Sequence, residues 1–138
     1  MNTARLHMHC LPDMAMGHLR EWLNAPLPPV SVSVEQHPES WITLDLGGYS
    51  LEYLDMQEWL RLGKHVDLFF ESFSTSLCSG EILVILAGEV RRHIVVDSDN
   101  GDYQVNIGKL RCEEASPMRE WDDIWTFVED DHWRDEVS

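Results

Sequence analysis

The sequence predicts one α+β domain, a mainly antiparallel sheet of about five to six strands packed by two to three helices. Short alternating or β-branched runs recur along the chain between Gly, Pro, Asn and Asp residues, as strands separated by turns require. Elsewhere, apolar residues recur at three- and four-residue intervals, the period of a helix with one buried face. A length of 138 residues with 43% hydrophobic content is enough to enclose a core at this size.

Ala4 to Leu11 alternates loosely and opens the chain as a strand, which Pro12 ends. Asp13 then caps a helix from about Met14 to Asn24, whose apolar stripe is Ala15, Met16, Leu19, Trp22 and Leu23, and the run Pro26-Leu27-Pro28-Pro29 stops it. Val30, Val32 and Val34 alternate with serines, and Trp41 to Leu46 is rich in β-branched and aromatic residues, so both read as strands with one wet face. Gly47-Gly48 reads as a hairpin turn that lets Tyr49 to Leu54 return antiparallel. Asp55, with Glu58 three residues on, starts a short helix that turns Met56, Trp59 and Leu60 inward and closes at Gly63.

Val66 to Phe73 fits both periods and leans to strand, Ser72 to Gly80 reads as a loop, and Ile82 to Leu86 is an apolar run suited to a central strand. Val90–Val96 and Tyr103–Leu110 flank a segment containing Asn100-Gly101, which favours a hairpin because both residues tolerate positive φ. Ser116-Pro117 starts the last helix, with Met118, Trp121, Ile124, Trp125 and Val128 on one third of its circumference.

Charge narrows function more than any motif does. The formal net charge is -15, from 25 acidic and 10 basic residues, which repels phosphate backbones and anionic membranes and argues against direct nucleic-acid or membrane binding. Ten of the acidic residues and only Arg119 and Arg134 among the basic ones lie between Glu113 and Ser138. Cys10, Cys78 and Cys112 are odd in number and contain no CxxC pair, which fits a reducing compartment. With neither a signal-peptide pattern nor a run of about 20 apolar residues, the chain reads as cytoplasmic.

Candidate chemistry is sparse. His7, His9, Cys10 and His18 form the richest window of metal ligands, and a strand turns His7 and His9 to one side, but no second cluster supplies further ligands. Water-facing side chains at a strand edge are the plainer account. Asp97, Asp99 and Asp102 around Gly101 miss the EF-hand register, in which glycine stands sixth and Glu twelfth, and read as a hydrated hairpin tip. Cys78 has only distant histidines to activate it, and no GxSxG, GxGxxG or GxxxxGK[ST] motif occurs, so no cofactor is expected. His65 and Asp67, two apart, can form an acid/base pair only if they share a strand face.

Aromatic residues among charge remain. Trp121 and Trp125 read as core residues of the last helix, whereas Trp133 lies past its stripe among acidic neighbours. Carboxylates with a few aromatic anchors suit capture of a basic protein, because complementary potential speeds encounter and buried aromatics slow release. This logic resembles, in kind, that of bacterial immunity proteins and of DNA-mimic anti-restriction or anti-CRISPR inhibitors. The leading expectation is an immunity or antitoxin-type inhibitor of a cationic toxin, binding through Glu120, Asp122, Asp123, Glu129, Asp130, Asp131 and Trp133. The alternatives are a DNA-mimic anti-restriction or anti-CRISPR inhibitor, a solvated acidic coat on a binding module, or a small enzyme built on His7, His9, His65 or Asp67. The tryptophan content also leaves room for a homodimer face.

Overall fold

The computed structural model describes residues 2–10, 33–36, 41–45, 55–74, 79–97, 102–115, 117–118 and 121–129. Seven antiparallel strands form one sheet: β1 (Asn2–His9), β2 (Ser33–Gln36), β3 (Trp41–Asp45), β4 (Leu68–Ser74), β5 (Ser79–Leu86), β6 (Glu89–Asp97) and β7 (Asp102–Gly108). They lie in the order β2-β3-β1-β4-β5-β6-β7. The last four make a simple meander, while β1 is inserted between β3 and β4. Two α-helices, α1 (Met56–Gly63) and α2 (Trp121–Glu129), and a 3-10 turn at Arg111–Glu114 complete the described elements. The α+β class therefore holds, with a sheet larger than the expected five to six strands.

A single sheet with a helix on each face has two cores, and alternation along the strands sorts residues between them. On one face Leu6, Met8, Ile42, Leu44, Leu68, Phe70, Leu83 and Ile85 pack with Trp59 and Leu62 of α1. On the other, Trp41, Phe69, Phe73, Ile82, Val84 and Ile94 pack with Ile124, Phe127 and Val128 of α2. This corrects the expectation of a wet face on β3. Trp41, Ile42, Thr43 and Leu44 are all buried, because β3 has neighbours on both edges and cover on both sides.

The Asp55 side chain accepts from the Glu58 backbone N–H at 3.0 Å, so α1 starts where its cap predicts. Trp59, Leu62 and Gly63 are its buried residues, with Met56 and Leu60 half-buried. A Cβ at Gly63 would stand 2.6 Å from Ile85 Cγ2, so glycine is what lets the end of α1 lie directly on β5. The loop expected over Ser72–Gly80 is corrected at both ends, since β4 runs to Ser74 and β5 begins at Ser79; residues 75–78 lie outside the described residues. Met118 is buried ahead of α2, whose helical residues begin at Trp121. The helix expected over Met14–Asn24, the turn at Gly47-Gly48 with its return to Leu54, and the tip at Asn100-Gly101 lie outside the described residues.

The β5–β6 hairpin turns on Ala87 and Gly88, with φ of 53° and 77°, the positive values that a two-residue type I′ turn demands. Ala87 bears the strain, and its N–H donates to Asp67 Oδ1 at 2.8 Å, tying the turn to the start of β4. Ala87→Asn should raise stability by about 1 kcal/mol, since Asn tolerates the left-handed region far better than Ala. Urea denaturation is the check; a midpoint that stays or falls contradicts it.

Candidate functional site

At about 100° per residue, the exposed positions of α2, Asp122, Thr126 and Glu129, fall on one stripe about 60° wide. Half-buried Trp125 borders that stripe, three residues after Asp122 and four before Glu129, so the indole lies between two carboxylates on the helix surface. No side-chain hydrogen bond or ion pair engages Asp122 or Glu129 among the described residues. Asp123 belongs to the opposite flank, is half-buried and is engaged in an interaction of its own.

Aromatic packing fixes this ridge on the sheet. Trp121 and Trp125 stack with ring centroids 5.4 Å apart and planes 11° apart. Phe73 on β4 meets both rings in T-shaped contacts, at 6.2 and 5.3 Å, and Trp121 Nε1 donates to the Ser79 carbonyl at 3.0 Å. Trp121 and Trp125, expected in the core, therefore pack on Phe73 in T-shaped contacts while each remains half-buried. Glu120, Asp130, Asp131 and Trp133 lie outside the described residues.

Electrostatics separates the two carboxylates of the ridge. Asp122 sits in the first turn, where a negative charge favours the helix dipole. Glu129 sits at the C-terminal end, where it opposes that dipole, and the last turn contains no basic residue to offset it.

The histidine window divides differently. His7, expected at a water-facing strand edge, is 2% exposed in the middle of the sheet, because β1 lies between β3 and β4. Its Nδ1 is 2.6 Å from Thr43 Oγ1 and its Nε2 is 3.0 Å from Glu71 Oε2. Glu71 Oε1 accepts from Arg5 Nε and Nη2, each at 2.6 Å. One tautomer satisfies the whole chain: Nε2–H donates to Glu71, and Nδ1 accepts the Thr43 hydroxyl. Hydroxyl, imidazole and carboxylate in series have the form of a nucleophile relay, but Thr43 is 4% exposed and Glu71 1%. The arrangement supports the sheet from within.

His9 is exposed and lies with Lys64, His65, Asp67 and Gly88 around a shallow depression of about 430 Å³ at one end of the sheet. The fold thus joins two sequence candidates that stand more than fifty residues apart, His9 and the His65/Asp67 pair. Asp67 is committed to structure there, its carboxylate to Ala87 N–H and its carbonyl to His9 N–H. Among the described residues no three His, Cys, Asp or Glu side chains are grouped to hold a metal. Cys10 is half-buried, and burial pushes its thiol above the ordinary value, away from the reactive thiolate. His18, Cys78 and Asp99 lie outside the described residues.

Besides Arg5–Glu71, sequence reasoning missed two buried or part-buried contacts of a carboxylate, one with an arginine and one with a histidine. Arg92, 3% exposed, donates through Nη2 to Glu113 Oε1 at 2.8 Å. Its Nη1 reaches Asn106 Oδ1 at 2.5 Å and the carbonyls of Ile107 and Gly108 at 3.1 and 2.8 Å. Glu113 Oε2 accepts from Leu110 N–H at 2.6 Å, so the pair fastens the 3-10 turn to β6 and β7. On the other face His93 Nε2 lies 2.8 Å from Glu81 Oε2. The available signal was an arginine on the core face of an apolar strand, which requires an anionic partner. No helix among the described residues is long and apolar enough to cross a membrane. No protein-family model, curated protein or solved structure matches this chain.

Proposed function

We propose that this protein is an inhibitor that binds a basic protein partner, in the manner of a bacterial immunity or antitoxin-type protein that covers the active cleft of a cationic, nuclease-like toxin. The docking surface is the outer stripe of α2 together with the acidic residues that follow it in sequence. The observation that carries this reading is the Asp122–Trp125–Glu129 ridge. A carboxylate at the C-terminal end of a helix, with no partner among the described residues, costs the fold about 0.3–1 kcal/mol. Placed beside a half-exposed tryptophan in the most acidic part of the chain, it has the chemistry of a cation-binding contact.

Two groups of ligands suit such a ridge, and both occur on nucleic-acid enzymes: guanidinium and ammonium groups that otherwise hold phosphates. Carboxylates seven residues apart on one stripe of a helix, about 10 Å along its axis, offer those groups substitutes for phosphate oxygens, which is also the logic of a DNA-mimic inhibitor.

The test is affinity capture from the source lysate with two baits, wild type and Asp122→Lys/Glu129→Lys. Both side chains are exposed, so the variant should fold and melt like the wild type. The wild type should retain one basic protein and the variant should lose it by at least about tenfold, the consequence of reversing rim and centre charges together. Equal retention by both baits rejects this surface.

A further inference from the structure

We draw no further inference here: the strongest candidate, the patch that half-buried Val95 and Val105 and exposed Ile107 make on β6 and β7, on the face of the sheet where α1 packs, is an unpartnered apolar surface, and nothing in the structure shows what covers it.

Discussion

Replacing Glu71 by alanine should destabilise the fold by about 3–5 kcal/mol, the range for removing one partner of a buried charge pair. Glu71 is 1% exposed, and its two oxygens serve Arg5 on one side and His7 on the other. Its loss leaves the buried His7 imidazole without its acceptor in the middle of the sheet, while the Arg5 guanidinium, whose side chain is 33% exposed, exchanges a buried carboxylate for partial contact with water. The thermal midpoint should fall by about 10 °C or more for a chain of this size. Glu71→Gln should be much milder. Glutamine keeps an oxygen for Arg5, and its amide can donate to His7 Nε2 if the ring moves its proton to Nδ1, which then donates to Thr43 Oγ1. Urea denaturation of both variants decides the point: equal losses would mean that this tautomer exchange does not occur.

Glu113→Ala should cost a similar amount, about 3–5 kcal/mol, because Arg92 is as deeply buried and Leu110 N–H loses its acceptor as well. Here glutamine should be little better than alanine. Both oxygens of Glu113 accept, one from a guanidinium and one from a backbone N–H, and neither donor can reverse its role. Either orientation of the amide therefore sets a donor against a donor. The contrast between a mild Glu71→Gln and a severe Glu113→Gln follows from the chemistry of the partners alone, and equilibrium unfolding of the two glutamine variants measures it. Comparable losses in the two would contradict the hydrogen-bond assignments.

What could be read from the sequence was what local rules govern. Asp55 and Glu58 mark the start of α1, alternation marks β6, the Val66–Phe73 run fits both periods and leans to the strand it is, and the Ile82–Leu86 run marks a central strand. The misses share a cause: each depends on what lies across the sheet. Trp41–Leu44 looks amphipathic by composition, yet both its faces are covered. Leu62 and Phe127 were not singled out because the orientation of each helix depends on the strand beneath it. The β5–β6 turn escaped because Ala-Gly is a poor I′ signal, and the long-range contact to Asp67 that holds it is invisible in a local window. Arg92 and Glu113 are twenty-one residues apart and meet only after β7 and the 3-10 turn have folded back.

The candidate site divides along the same line. Helical spacing was enough to set Asp122 and Glu129 off the apolar stripe of α2, but it put Trp125 on that stripe as a core residue, whereas the indole is half-buried beside the two carboxylates. Which flank Asp123 occupies, and that Trp121 and Trp125 stack over Phe73 while keeping surface, depends on how α2 sits on β4 and β5. The histidines followed the same logic in reverse: sequence grouped His7 with His9, and the fold buried one and exposed the other.

The central claim is that the carboxylates beside Trp125 are a contact for a cationic protein. Its most direct test is a calorimetric titration of the captured basic partner into wild type and into Asp122→Asn/Glu129→Gln, each at low and at moderate salt. The account predicts that neutralising the two carboxylates weakens binding by about tenfold or more at low salt and flattens the salt dependence, because the lost contacts are the screened ones. Equal affinity and equal salt dependence in the two proteins would contradict it.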